Sequence, residues 1–336
     1  MSHRTLPILS TVIALVLVMP VPAVSQLRGD TSEVPRDTHG RPDLSGVWDF
    51  RTVTPLERPV ELGDKAYFSD EEAAEFAARQ VLDRNVDLNR ATTTTAREIV
   101  NGTRESVDLA AAYNNFWYDR GTTVVTTQRT SLVIDPPDGR IPMRTQLAVT
   151  RASERVMLSQ RITEGPEDRS LGERCIVRPN AGPPMTPAGY NNNVQIFQTA
   201  EHVVIFTEQI HDARIVPLND RPHLPRHLRQ WMGDSRGWWD GDTLIVETMN
   251  FNDQKYFHGA AAAMQLVERF SRTDAETLLY EFTVTDPDSF VQPWTVQIPM
   301  RLSLDPIYEY ACHEGNYGME GTLRGARAIE RAARNK

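Results

Sequence analysis

The chain has 336 residues and a formal net charge of −9 at neutral pH. Its 40% of hydrophobic residues is sufficient for a sizeable core, because ordinary globular domains carry a similar share. The excess of acidic residues repels nucleic acids and anionic membrane surfaces, and no cluster of Lys and Arg offsets it. We therefore exclude nucleic-acid binding.

The N-terminus has the three parts of a secretory signal. Arg4 precedes a short apolar run that contains Pro20 and Pro22, and small residues around Ser25 form a cleavage site. The run is short for a transmembrane helix, and no cysteine near the cleavage site offers a lipid attachment point. We predict a signal peptide at 1–25 and a mature protein in the periplasm or the medium, without a stable membrane anchor. A retained anchor is the alternative.

The next two segments differ in character. Residues 26–45 lack hydrophobic periodicity and are predicted to form an extended leader. Residues 46–120 are predicted to contain a strand in "PDLSGVW", a short helix in "FSDEEAAEFAARQVLDR" and a polar loop at 84–112. Ser69 as N-cap and Glu72 three residues later form a capping box, which marks the start of the helix.

From residue 121 onward the pattern is that of successive short strands. Asp135 to Gly139 is a strong turn signal, and Asp240-Gly241 between two apolar runs is typical of a β-hairpin. In "TLLYEFTVTD" apolar and polar residues alternate, as in a half-buried strand. The segments predicted as strands are "TTVVTTQRTSLVI", "VMLSQRI", "NVQIFQT", "HVVIFTEQI", "ARIVPL", "GWWDGDTLIVETMNF", "LVERFSR", "TLLYEFTVTD", "PWTVQIPMRLSL" and "YEYAC".

These strands follow one another with short turns and no helices between them, which excludes a parallel βαβ sheet. An antiparallel meander removes its exposed edges by closing on itself. We therefore predict a mainly β fold, in which residues 121–336 form an antiparallel up-and-down, lipocalin-like barrel with a C-terminal helix at 322–333. A β-sandwich is the alternative. A barrel of this kind can enclose a ligand cavity.

Two cysteines are present, Cys175 and Cys312. An oxidising compartment favours their pairing, and a long loop between bridged residues contributes about 4–5 kcal/mol in the chain-entropy model. We predict a disulfide. A catalytic thiol is the alternative, although a lone reactive thiol outside the cytosol does not readily stay reduced.

No strong catalytic signature is present, so the candidates are clusters of polar residues. The densest is "YEYACHEGNYGM", where His313 and Glu314 form a candidate base with its carboxylate, and Tyr310 or Tyr317 a candidate acid. An imidazole beside a carboxylate can act as a general base near neutral pH. The alternative is that these groups only support the disulfide and its loop.

Two further clusters lie at predicted turns and strands. In "TEQIHDARIVPL", His211 and Arg214 are candidates for orienting a substrate, although a satisfied turn has the same composition. Trp238 and Trp239 point to opposite faces of a strand, so one is expected in the core and the other against a sugar or ring.

The remaining predicted substrate-binding residues are single polar groups in loops and strands. They are Tyr190, Asn192, His258 and Arg269. The histidines are far apart in the chain and no local ligand pair such as H-x-H occurs, so no metal is predicted. No cofactor is predicted either.

Several phrases also carry a resemblance. "ERC" at 173–175, "GDSRGWWDGDTLIVETMNF", "ERFSR", "PWT" and "YEYACHEGNYGMEGTLRGAR" resemble a widespread group of exported β-rich proteins of environmental bacteria. The resemblance covers most of the chain from about residue 121, together with "PDLSGVW". It implies export and one shared β-rich fold, and it implies no role for any residue.

We therefore predict an exported enzyme that uses His/Glu/Tyr acid–base catalysis in a barrel cavity. Its substrate would be a polyhydroxylated or cyclic, carbohydrate-like small molecule, and its chemistry that of a lyase, isomerase or hydrolase. His313 would be the base, with Arg214 or Arg269 stabilising developing charge. The alternative is a non-catalytic, lipocalin-like binding protein for an apolar or glycosidic ligand. A structural envelope protein is a third possibility.

Overall fold

The computed structural model describes residues 33–88, 114–159 and 161–335. The predicted signal peptide at 1–25, the first part of the leader and most of the predicted loop 84–112 lie outside these ranges. Every helix among these residues is too short or too polar to span a membrane.

A ten-stranded antiparallel sheet forms the centre of the molecule. Its strands in chain order are β1 (Gly46–Asp49), β2 (Val133–Asp135), β3 (Asn193–Gln198), β4 (His202–Thr207), β5 (Ala213–Pro217), β6 (Asp234–Asp240), β7 (Thr243–Met249), β8 (Gln265–Arg272), β9 (Thr277–Thr285) and β10 (Trp294–Ser303).

The sheet consists of two meanders joined by β1. Strands β3 to β5 form one and β6 to β10 the other, and β1 pairs with β3 on one side and β10 on the other. Strand β2 pairs with β10 beyond the end of β1. The path ends at β5 and β6, which are not hydrogen-bonded to each other among the described residues. The sheet is therefore open, and the predicted closed barrel is not confirmed. The β-sandwich alternative stays a prediction.

The two ends of the sheet nevertheless lie close together. A Cβ atom added to Gly237 of β6 would lie 2.8 Å from side-chain atoms of Val216 and Leu218 on and after β5. The glycine thus permits this approach, because any larger residue would force the two strands apart. The contact is made by side chains of β5 against the backbone of β6.

Three α-helices accompany the sheet: α1 (Asp70–Asp83), α2 (Gln146–Ser159) and α3 (Tyr317–Arg334). The predicted capping box of α1 is confirmed, since the Glu72 backbone N–H donates to the Ser69 hydroxyl at 3.3 Å and the Ser69 N–H donates to the Glu72 carboxylate at 2.8 Å. Helix α3 begins at Tyr317 rather than 322, because the Asn316 side chain caps it by accepting the N–H of Met319.

Parts of the strand prediction are wrong. Val156 to Leu158 of "VMLSQRI" belong to α2, whose sequence is rich in helix-forming residues and whose first turn is capped by the Thr145 hydroxyl. "YEYAC" forms no strand, because β10 ends at Ser303, just before Asp305 and a proline. Of "TTVVTTQRTSLVI", only its last two residues, Val133 and Ile134, are strand, as part of β2.

The core lies on the inward face of the sheet. In β9, Leu278, Tyr280, Phe282 and Val284 are fully buried and alternate with partly exposed residues, which confirms the predicted period of two. Phe257, from the loop after β7, stacks on the buried Trp294 with ring centroids 5.7 Å apart. Large aromatic side chains therefore fill much of the sheet interior.

Candidate functional site

The cysteine pair is bonded as predicted. Cys175 and Cys312 form a disulfide with Cα atoms 5.8 Å apart. A cavity of about 530 Å³ lies beside it, and Tyr310 contributes to its lining. The amide of Asn316 donates to the backbone carbonyl of Glu173 at 2.8 Å, so the cap of α3 and the disulfide hold the same turn in place.

The other predicted acid–base residues near the disulfide lie outside this cavity. His313 and Glu314 are exposed on the turn before α3, and Tyr317 is 77% exposed at the start of the helix. The predicted strand "YEYAC", which would have led into this turn, is absent. Their catalytic role stays a prediction.

His211 and Arg214 point in different directions although they are three residues apart. His211 is exposed in the turn between β4 and β5, with its ring 4.7 Å from that of Phe206. Arg214 points into the sheet interior and is buried. Among the described residues, no hydrogen bond or ring contact joins His211, His258 and His313 to one another.

Trp238 and Trp239 lie on opposite faces of β6, as predicted. Trp238 is 46% exposed on the outer face of β6, and the register places Arg269 of β8 two strands away in the same row. Trp239 packs against the core, beneath the guanidinium of Arg41, which lies 5.6 Å from its ring centroid. Two predicted substrate-binding residues, Trp238 and Arg269, thus lie in one row across the sheet, with Ile245 between them.

The last three predicted binding residues have local contacts. Asn192 is buried, accepts the Ala188 N–H at 2.7 Å and donates to the Asp119 carbonyl at 2.8 Å, which is a structural role. Tyr190 is partly exposed, with its ring 6.4 Å from that of Tyr118. His258 lies at the surface, edge-on to Phe257.

A histidine that the sequence analysis did not select is held between two acids. His223 lies 2.9 Å from a carboxylate oxygen of Asp234 and 3.2 Å from one of Glu247. Arg236 donates to the other oxygen of Asp234 at 2.7 Å. These contacts hold the segment before β6 against the "GDSRG" residues at the start of that strand. The polar side chains of "GDSRG" therefore have a structural role.

The sheet interior contains a cluster of ionisable groups. Arg214 donates to both oxygens of Glu268, and the Tyr280 hydroxyl donates to Glu268 at 2.7 Å. Nearby, the buried Lys255 ammonium donates to the carbonyl of Gly182 at 2.7 Å. Burial and the neighbouring charge of Arg214 lower the pKa of Lys255 to about 7. This cluster is enclosed by the core, so we regard it as structural.

An open cavity of about 380 Å³ has the most distinctive chemistry. It lies between the C-terminal end of α1, the segments on either side of residue 121, the end of β1 and the outer side of β10. Four arginines and two aspartates are the charged residues among the described lining groups: Arg51, Arg84, Arg120, Arg301, Asp49 and Asp119. We call it the arginine cavity.

One of the four arginines is neutralised by acids. Arg51 donates to Asp49 from its Nε at 2.8 Å and to Asp119 from Nη1 at 2.6 Å. The hydrogen bonds to Asp49 and Asp119 raise the pKa of Arg51. Both aspartates of the cavity are therefore engaged by one guanidinium.

Arg84 and Arg120 are different. They lie next to each other, since Arg120 donates to the Arg84 carbonyl at 2.8 Å, and in the described part of the chain neither forms an ion pair with a carboxylate. The Arg84 side chain has one long hydrogen bond, 3.4 Å to the Val53 carbonyl. Burial and the positive charge of Arg120 lower the pKa of Arg84.

Local structure holds these two side chains in place. Arg84 is the C-cap of α1, where a cation is favoured by the helix dipole, and Arg120 satisfies its carbonyl. The Arg120 guanidinium also stacks on Tyr118, 3.6 Å from the ring centroid. Gly121 has φ +77°, and an added Cβ would lie 3.1 Å from the backbone of Arg51. That glycine lets the two segments approach closely enough to form the cavity.

Sequence reasoning missed all four arginines. Each is an isolated basic residue, and they come from α1, β10, the segment after β1 and the segment before residue 121. No local sequence motif identifies these arginines as a group. They come together around the arginine cavity only in the folded chain.

Neither possible metal ligands nor comparisons with known proteins give further information about the site. Within the described ranges, no three His, Cys, Asp or Glu side chains are grouped so as to hold a metal ion. The chain matches no protein-family model, no curated protein and no solved structure. The functional argument therefore depends on the geometry of the chain itself.

Proposed function

We propose that the protein binds a small anionic molecule in the arginine cavity. The observation that carries this proposal is the Arg84–Arg120 pair. The positive charge of Arg120 acts on Arg84 and lowers its pKa, and a carboxylate partner is the usual compensation for such repulsion. Here that partner is missing among the described residues, and both side chains face an open cavity. An anionic ligand would supply the compensation.

Charge and size support the same function. The whole chain carries −9, whereas four arginines against two aspartates leave this lining with an excess of positive charge. A local positive field in an acidic protein concentrates anions at one place. The volume of about 380 Å³ lies within the range of small-molecule sites.

This function is nearest to the predicted binding-protein alternative, with an anionic ligand in place of an apolar one. The predicted acid–base enzyme has less support, because His313 and Glu314 are exposed and do not line the arginine cavity. The disulfide, together with the lack of a membrane-spanning helix among the described residues, is compatible with export. We propose that binding takes place in the periplasm or outside the cell.

Isothermal titration calorimetry tests the proposal. Inorganic phosphate and small carboxylates are titrated into the wild-type protein and into Arg84→Gln and Arg120→Gln. A charge-assisted hydrogen bond is worth about 1.5–3 kcal/mol, so each substitution is expected to weaken anion binding by about 10- to 100-fold.

Arg79→Gln is the matched control. Arg79 is on the same helix as the Arg84 cap, but its guanidinium lies 5.5 Å from the ring centroid of Phe76 and outside the arginine cavity. This variant should bind like the wild type. The proposal fails if no anion binds the wild-type protein, or if Arg79→Gln weakens binding as much as Arg84→Gln.

A further inference from the structure

We infer that the anion bound in the arginine cavity is a phosphomonoester of a hydroxyl-bearing small molecule. This inference rests on the proposed function and specifies its ligand. It follows from how the charges are divided within the cavity and from the number of charges on each side.

The lining charges form two groups by their contacts. Arg51 joins Asp49 and Asp119 into one group, which has a net charge of −1. Arg84 and Arg120 form the other group, which has a charge of +2 and no carboxylate within the described chain. Arg301 lies directly opposite Asp49 on β10, so it belongs to the first group and brings the net charge of that group from −1 to zero. The cavity thus has a doubly positive end and a second end whose charges balance.

The doubly positive end favours a doubly charged group. Arg120 donates to the Arg84 carbonyl and its charge lowers the pKa of Arg84, so both side chains lie near enough in the cavity lining to meet one doubly charged group. A phosphomonoester carries nearly two negative charges at neutral pH and several acceptor oxygens, whereas a single carboxylate or a sulfate ester carries one charge. The stacking of Arg120 on Tyr118 fixes the plane of that guanidinium in advance.

The balanced end favours neutral hydroxyl groups. A second anionic group there would gain no net attraction, since Arg51 and Arg301 balance the charges of Asp49 and Asp119. Carboxylate oxygens accept more than one hydrogen bond, so they can receive ligand hydroxyls as well as Arg51. Gln80 and Asn115 add neutral donors and acceptors to the lining.

The experiment compares isosteric esters by calorimetry. Glucose 6-phosphate and glucose 6-sulfate have the same sugar and differ in charge at pH 7.5. We expect the phosphate to bind at least about 10-fold more tightly, since one additional charge beside two guanidiniums is worth more than 1.4 kcal/mol. In Arg84→Gln the difference should shrink to about 3-fold or less. Inorganic phosphate should bind more weakly than glucose 6-phosphate, because it lacks the hydroxyls.

A change of pH separates ligand charge from protein effects. The second pKa of a phosphomonoester is about 6, so its affinity should fall towards that of the sulfate ester at pH 5. The sulfate ester does not titrate in this range and reports any change of the protein itself. Equal affinities of the two esters at pH 7.5 would show that the site does not select a doubly charged group. Equal affinities of glucose 6-phosphate and inorganic phosphate would show that the ligand's hydroxyl groups do not contribute to binding. In both cases anion binding still stands; absence of any binding would remove the proposed function as well.

Discussion

At the scale of single residues, the surroundings decide what an arginine does in this protein. Arg214 is buried and paired with Glu268 across the sheet interior. Arg51 is held between two aspartates at the surface. Arg84 and Arg120 adjoin each other and have no carboxylate partner among the described residues. Glu268 and Asp119 are distant in the chain from the arginines they contact, so the sequence predicted a possible catalytic role for Arg214 and none for the other three.

The buried pair provides a test at this scale. Glu268→Gln should destabilise the protein by about 3–5 kcal/mol, because it leaves the Arg214 charge without compensation in the core. It also weakens the acceptor of the Tyr280 hydroxyl. Urea unfolding followed by circular dichroism measures the loss.

The double variant Arg214→Met with Glu268→Met is the control for this prediction. Replacing both members of a buried ion pair by apolar residues is often close to neutral, although Tyr280 then lacks its acceptor. The double variant should therefore regain most of the stability lost in Glu268→Gln. If Glu268→Gln costs less than about 1 kcal/mol, the pair does not have the role assigned to it.

At the scale of elements, α3 is held by a crosslink and a few polar contacts. Only Ala326 of this helix is buried. The disulfide lies just before its first residue, and further along Arg327 donates to the carbonyls of Thr163 and Glu164 at 2.9 and 2.7 Å. Its attachment therefore depends more on the crosslink than on burial of an apolar face.

Removing the crosslink should loosen this helix first. In the double variant Cys175→Ala with Cys312→Ala, we expect a loss of about 2–5 kcal/mol of stability, since the bridge closes a loop of 137 residues. Hydrogen exchange read by mass spectrometry should show faster exchange in α3 than in β8 to β10. Unchanged melting temperature together with unchanged protection of α3 would contradict this account.

Local signals predicted local structure well. The capping box at Ser69, the hairpin at Asp240-Gly241 and the alternation in β9 each depend on neighbours in sequence, and each is confirmed. "VMLSQRI" and "YEYAC" failed because short apolar runs fit both helix and strand, and the deciding factors were the Thr145 cap and the end of β10. The disulfide was predicted from compartment rather than geometry.

At the scale of the whole molecule, sequence predicted the class of fold but not its closure or its site. The antiparallel meanders follow from the strand pattern. The insertion of β1 between β3 and β10, and the open ends at β5 and β6, depend on contacts between distant segments. The arginine cavity arises in the same way, from α1, β1, β10 and the residues around Gly121. No hydrophobic periodicity or motif within a single segment predicts this cavity.

The stability of the whole molecule should depend on pH through Lys255. Its pKa of about 7 in the folded protein lies below the 10.5 of an ordinary lysine, because burial and the charge of Arg214 disfavour the ammonium form. Glu268 and Asp212 also face it and act in the opposite direction. Between these two pH values the unfolded chain holds a proton that the folded protein has lost. The free energy of unfolding must therefore rise with pH across this window and level off below about 7.

Comparison of Lys255→Met with the wild type isolates this effect. The slope due to Lys255 is at most about 1.4 kcal/mol per pH unit, and it should vanish in the variant. Urea unfolding at pH 7, 8 and 9 measures the slope for both proteins, and titration of other groups cancels in the difference. Losing the hydrogen bond to Gly182 shifts the variant by a constant amount and leaves its slope unaffected. Lys65→Met, at an exposed lysine, should keep the wild-type slope. If Lys255→Met keeps it too, the Lys255 ammonium is not desolvated in solution, and the enclosed interior described for the folded sheet is accessible to water.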